Sequence, residues 1–471
     1  MKKIEEIVEN RGFEIGAFTL GDCILIAVEA EKRVSDVVVF EAMKQTGFSF
    51  EKTLDAVVKS FSHNLNALST GLGGGRSFLF GSVANELNRE GAPRIVEDEL
   101  LNKMIVYTLA AQVGNHSVGL EPCAGTGDSC PYAGFMRAVM EEYPDIEAAR
   151  AAAVILKIGT IFRVGKTSTG CNMEGLGAGS AATAAAFVEI SGGSPEAMGR
   201  AVVLAISPTL GTPCTPRVMV PGLCATHIGG AIMNGKLASH LAVHTNIPVN
   251  VPVDVMIAMA AAIHPVSAKS IVPEVIRYME PYFRTNDAVE AYIEEDIKTV
   301  EAERKSRLYD QARLEAKDMA RRANPIVKPF GTAVVGGSSQ AVGSPTNTGR
   351  LAHFLAKGKI SKVVIDLYPE LFARRGINIP GILMGAVYGA STADGLMYKE
   401  VMDRVKNEGI EVVINQVDEY QLQRVTIKAS EEGSVVDARN RGGGRLALVH
   451  AEPDISRCRK LANSLQIEIV Q

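Results

Sequence analysis

Three cysteines stand where a thiolate can turn into a cavity. Cys171 lies in Thr169-Gly170-Cys171-Asn172-Met173-Glu174-Gly175, and Cys214 and Cys224 bound a turn that contains Pro216, Arg217, Pro221 and Gly222. Thiolates hold iron-sulfur clusters, and a cluster with only three protein ligands leaves one iron open as a Lewis acid for a hydroxyl, thiol or carboxylate. Spacing alone leaves two other readings open. Buried cysteines act as small hydrophobes, and no CxxC pair is present to argue otherwise. A zinc site is the second, with His227 just past Cys224 as a fourth ligand. Cys23 and Cys458 lie in ordinary segments and read as inert. Cys123 and Cys130 belong to Glu121-Pro122-Cys123-Ala124-Gly125-Thr126-Gly127-Asp128-Ser129-Cys130, which reads as a backbone-lined substrate loop.

The elements that must position these residues are helical over most of the chain. At 471 residues, two or three packed units are expected. Apolar residues at helical spacing run from Asp36 to Leu68, followed by the glycine block Gly71 to Arg76, too permissive for a helix interior. Leu100 to Val113 reads as a buried helix, and the Ala-rich stretches Ile146 to Leu156 and Gly179 to Ile190 as tightly packed ones. Residues 208–224, with several prolines, read as a loop of fixed geometry. From Val272 to Asn324 glycine is absent and Glu, Lys and Arg dominate, which suggests an exposed helical connector. Beyond Pro329, strands are expected at 363–367, 412–414 and 424–427, and helices at 344–357, 379–390 and 398–408. The fold class is therefore α+β: a mostly helical domain over 1–271, a charged connector over 272–325 and a smaller α/β domain over 326–471.

Composition narrows the function classes. Apolar residues make up 46% and charged ones 22%, the balance of a soluble globular protein. A net charge of -4 gives no electrostatic reason to expect nucleic acid or an anionic membrane as partner. The apolar runs Val255 to Ile263 and Ala181 to Val188 fall short of the roughly 18 residues of a membrane span. Met1 to Asn10 is charged and shows no apolar export segment. Seven cysteines without a leader point to a reducing, cytoplasmic setting.

Taken together, the motifs resemble the iron-sulfur-dependent L-serine dehydratase (L-serine ammonia-lyase) family. Gly170-Cys171-Asn172-Met173-Glu174-Gly175, with Ser191-Gly192-Gly193 and Pro195 beyond it, resembles the family's Gly-Cys-x-x-Glu segment. Cys214 to Cys224, continued by Ile228-Gly229-Gly230-Ala231, resembles its second and third cluster cysteines. Pro122 to Pro131 resembles its Pro-Thr-x-Gly loop, and Gly71 to Ser77 its glycine-rich loop. Gly336-Gly337-Ser338-Ser339-Gln340-Ala341-Val342-Gly343 stands where the family has a serine-rich loop ending in Ser-His-Thr, and Gly442-Gly443-Gly444 at its closing triple glycine. The resemblance covers nearly the whole chain and implies a [4Fe-4S] cluster on Cys171, Cys214 and Cys224, with the α-like cluster domain ahead of the β-like domain. That order differs from the usual single-chain arrangement. Three further departures are local. The Ser-His-Thr histidine is replaced by Gln340 or Ala341, a loop aspartate by Arg76, and the glutamate before Asn115 by Val113 or Gly114. No cysteine lies in Ile467 to Gln471 to cap the open iron.

The expected activity is β-elimination and deamination of a small amino acid such as L-serine to a 2-oxo acid and ammonia. His116, beside Asn115, is the first candidate for the base, ahead of His63 and Lys166; its bland alternative is a structural histidine. Backbone N–H groups of Gly125, Thr126, Gly127 and Ser129, with Ser338 and Ser339, would orient the carboxylate, with Gln340 beside them. Arg76 and Arg217 are candidate carboxylate clamps or simply solvated arginines. Glu174 would support the Cys171 turn. Three alternatives stand beside this reading: an L-cysteine desulfidase, a dehydratase of another β-substituted amino or hydroxy acid, and a non-catalytic iron-sulfur sensor. The Ala/Gly-rich helices could pack within one chain or between chains, and a homo-oligomer, a dimer first, is the expectation.

Overall fold

Period-3.6 patterning and glycine-marked breaks divide the first two thirds of the chain into a succession of helices. In the computed structural model these are α1 (Lys2–Arg11), α2 (Leu20–Ala30), α3 (Val34–Thr46), α4 (Phe50–Lys59), α5 (Ser62–Leu72), α6 (Val83–Asn88), α7 (Glu99–Val118), α8 (Cys130–Glu142) and α9 (Asp145–Val164). A π-helical turn, Met173–Ala178, leads into α10 (Gly179–Ile190), then α11 (Pro195–Ile206), a 3-10 turn at Ser207–Thr209, α12 (Pro221–His244), α13 (Val253–Met279), α14 (Asp287–Glu290) and α15 (Glu295–Arg322). The structure describes all residues except 79–80, 119–129, 165–172, 213–220, 283–284, 324, 328–342, 420 and 443. At 118, 163–164, 173–175 and 221–224 it describes the backbone only.

The chain forms two units, Met1–Gln311 and Ala312–Gln471, and the division falls within the charged stretch read as a connector. The first unit is all-helical among the described residues. Its core combines large side chains such as Tyr132, Phe135 and Ile155 with many alanines. Every residue of α10 from Gly179 to Glu189 is buried, as the alanine content requires where neighbouring helices approach closely. Thr19 caps α2 by accepting from the Asp22 amide, while Asp22 accepts from the Thr19 amide, a reciprocal pair that fixes the helix start.

Two sequence expectations are corrected here. Pro221 to Cys224 are not loop but the first turn of α12, where proline suits a helix start because its missing N–H has no partner there anyway. The apolar run at Val255 is part of a longer helix. Val253–Tyr282 is long and apolar enough to cross a membrane by length and composition alone. His264, Ser267 and Lys269, with Pro265 and Pro273 inside the helix, break the run in the sequence without ending the helix. No residue of α15 is buried, so that helix is held by its own backbone bonds and pairs such as Arg307–Glu303.

The second unit is α/β. It comprises α16 (Gly343–Leu355), β1 (Ile360–Leu367), α17 (Pro369–Ala373), α18 (Arg375–Tyr388), α19 (Gly395–Asn407), β2 (Glu411–Gln416), β3 (Leu422–Ala429), β4 (Ser434–Asn440), β5 (Leu446–Glu452) and α20 (Ile455–Ser464). The sheet order is β2-β1-β3-β4-β5. β1 runs parallel to β2 and antiparallel to β3, with Val363 opposite Val412 and Ile427. Along β1, Val363, Ile365 and Leu367 are buried and alternate with less buried neighbours, the period of a strand covered on one face. α16 lies on β3 and β4, where the buried Gln423 side chain donates to Ser344 Oγ and Thr348 Oγ1, both at 2.9 Å.

Candidate active site

The last turns of α7 carry Gln112, Gly114, Asn115, His116 and Ser117. They meet the turn after α5 because two glycines let the helix backbones touch. A Cβ on Gly114 would collide with the Ala67 carbonyl, and one on Gly71 with the Ala110 carbonyl. This close approach sets Ser77 against His116. Ser77 is held by a backbone pair with Gly81, each N–H donating to the other's carbonyl at 2.9 Å. Its Oγ lies 2.7 Å from His116 Nδ1. On the other side of the ring, Gln112 Nε2 lies 3.0 Å from His116 Nε2, the one-turn neighbour relation of an α-helix.

The network continues to the first residue of α8. Cys130 Sγ donates to Gln112 Oε1 at 2.9 Å and accepts from Asn115 Nδ2 at 3.1 Å. Followed from Asn115, each donor finds an acceptor: Asn115 to Cys130, Cys130 to Gln112, Gln112 to His116 Nε2, and then His116 Nδ1–H to Ser77 Oγ. A second setting is open to the ring. With the Gln112 amide turned over, Nε2–H donates to Gln112 Oε1 and the Ser77 hydroxyl donates to Nδ1, while Cys130 Sγ accepts from both amides. The two settings differ by which way protons lie along one chain of bonds. Ser77, Gln112 and Cys130 are buried, whereas His116 is exposed. The site therefore joins an accessible imidazole to a shielded polar chain.

Of the residues proposed from the sequence, the structure brings three together. His116 and Asn115 share the Cys130–Gln112 network, and Ser117 Oγ donates to the Arg76 carbonyl at 3.2 Å, tying Arg76 to the same turn. The exposed Arg76 guanidinium has no ion-pair partner among the described residues. His63 lies on α5. Gly125, Thr126, Gly127, Ser129, Lys166, Cys171, Cys214, Arg217, Ser338, Ser339 and Gln340 fall outside the described residues, and so does the Glu174 side chain. Cys224 is described through its backbone alone, in the first turn of α12, with His227 in the next turn. Reasoning from sequence missed Ser77, Gln112 and Cys130. Only the spacing of Gln112 and His116 carried a signal.

The described flanks of the three cysteine segments lie together. The π-helix that follows Cys171 packs on α12, on α10 and beside the 3-10 turn that precedes Cys214. Leu176 faces Gly230 of α12, and Gly229 faces Ile105 and Leu109 of α7. α12 thus links the π-helix, a rare element frequent at functional sites, to the helix that carries His116. Among the described residues no three His, Cys, Asp or Glu side chains are disposed to hold a metal ion.

Two buried cysteines lie outside this site. Burial pushes the Cys23 thiol up to about 12, and burial pushes Cys458 up to about 11, so both stay protonated and unreactive, in keeping with the inert reading. No protein-family model matches the chain, and no curated protein matches it.

Proposed function

We propose that this chain is an iron-sulfur-dependent lyase that removes the β-substituent of a small α-amino acid, such as L-serine, and releases a 2-oxo acid and ammonia. The observation that supports it most is the gathering of the three cysteine segments' flanks around one π-helix, on the α12 that also packs against α7. Three thiolates are a donor set suited to a cluster with one open iron. Bound on Cys171, Cys214 and Cys224, a [4Fe-4S] cluster would supply Lewis acidity that polarises the leaving hydroxyl or thiol.

The chain's own residues do the rest. Ser77 Oγ and His116 Nδ1 form the proton acceptor: as the α-proton moves to Oγ, the hydroxyl proton moves to Nδ1. The C–H electron pair becomes the Cα=Cβ bond, and the leaving group departs with the pair of its own bond. Gln112 holds the imidazole and, with its amide turned over, Oε1 accepts from Nε2–H in the charged state. Arg76 pairs with the substrate carboxylate. The enamine so formed loses ammonia in water.

The test is a full-chain assay, prepared anaerobically, with L-serine, L-threonine and L-cysteine as separate substrates. A 2-oxo acid should form, and His116→Ala should lower its rate by about a hundredfold or more. Sulfide in the cysteine reaction assigns the leaving group to a thiol and makes the chain a desulfidase. No 2-oxo acid from any of the three, with the cluster intact, overturns the proposal.

A further inference from the structure

A cavity of about 650 Å³ opens between α2, α3, α4, α9 and α13 of the helical unit and shares no residue with the candidate active site. Its size falls in the range of small-molecule pockets, well above the voids that close-packed helices leave. The wall is mostly aliphatic, with Leu20, Val38, Val57, Leu156, Ile161 and Ile257 contributing. One ion pair interrupts it. Lys157 Nζ donates to Glu41 Oε2 at 2.6 Å, and Glu41 is only 4% exposed.

Glu41 is fully committed to the protein. Its Oε1 accepts the Gly16 and Phe18 amides at 3.1 and 3.0 Å, pinning the loop ahead of α2. Asp254, also on the wall, accepts from the Gly21 amide at 3.0 Å and from the Thr19 hydroxyl at 2.7 Å, at the start of α2. The charge of Asp254 is thus met by two donors and by the positive end of α2. Lys157 differs. An ammonium has three N–H donors, and Glu41 takes one; among the described residues no other acceptor meets it. A purely structural pair accounts for the pinned loop, but it leaves unexplained both the open volume and the two donors beside it.

We propose that this cavity binds a small carboxylate with an aliphatic body. The carboxylate takes the two open N–H groups of Lys157, and the tail lies along Val38, Val57 and Leu156. A ligand that also carries an α-ammonium would set it at Asp254.

Thermal-shift and calorimetric titration of the full chain test this without reference to turnover. The probes are hexanoate, L-leucine and 4-methyl-2-oxopentanoate at millimolar concentration, with hexylamine as the charge-reversed control. The carboxylates should raise the melting temperature and the amine should not. Lys157→Met should weaken carboxylate binding by at least about tenfold, the loss of a charge-assisted contact. Val57→Phe, which fills the cavity and leaves the ion pair, should do the same. A stronger effect of leucine than of the oxo acid brings Asp254 into the site, and the reverse order assigns it to acids without an amino group; either order supports the proposal. No shift with any carboxylate, or binding undiminished in both variants, overturns it.

Discussion

At His116 the two ring nitrogens meet different partners, the Ser77 hydroxyl at Nδ1 and the Gln112 amide at Nε2. A lone histidine beside a glycine-rich loop carries no assignment by itself. Pairing with a buried serine changes its chemistry, because Oγ can take a proton only if it hands its own to the imidazole. Ser77→Ala should therefore lower kcat by about a hundredfold or more, with KM little changed. It should also flatten the acid limb of the rate profile, while Ser77→Thr restores part of the rate. A Ser77→Ala enzyme with parental kcat and an unaltered pH profile would reduce the contact to a structural one. Cys130 takes no direct part in this scheme; it fixes Gln112, which fixes the ring.

At the scale of elements, the site depends on how closely α5 and α7 approach. Gly114→Ala would drive a methyl group into the Ala67 carbonyl, and the helices must separate to admit it. Such overpacking costs about 1–3 kcal/mol, and here it should also pull Ser77 from His116, so stability and activity fall together. Denaturant unfolding beside the rate assay checks this; loss of neither would contradict the packing described. α10 offers a pH test. Burial raises the Glu189 carboxyl above its usual range, opposed in part by the Ser35 hydroxyl, which donates at 2.7 Å, and by Arg33. The folded chain then keeps that proton to higher pH than the unfolded chain does. Stability falls as pH rises from the usual carboxylate value through the raised one. Glu189→Gln keeps the acceptor for Ser35 and removes the buried charge. Its melting temperature should exceed the parent's at neutral pH, with the gap closing in acid. A gap that stays constant with pH would contradict the assignment.

At the scale of the molecule, a mostly helical unit followed by a small α/β unit was legible from the sequence because most elements mark their own buried face. β1, β2 and β3 announce themselves by runs of Val and Ile. β4 and β5 do not. β4 carries the buried Asp437, which makes sense only once Arg424 of the neighbouring strand is seen to meet it through Nε at 2.6 Å and its terminal nitrogen at 2.5 Å. The length of α13 was hidden by polar residues and two prolines that do not stop it. The site was legible at His116, Asn115 and Arg76, where residue type alone suggests chemistry. Ser77 was not, because it lies 39 residues from His116 and only helix packing joins them.

The proposed lyase chemistry depends first on the cluster. Iron and acid-labile sulfide content, with a visible spectrum, should be measured on anaerobically purified protein and on a Cys171→Ser variant. About four irons and four sulfides per chain in the parent, lost in the variant, are expected for a cluster held by Cys171, Cys214 and Cys224. Zinc or no metal in the parent, with the variant unchanged, would contradict the lyase and leave the Ser77–His116 network in need of another function.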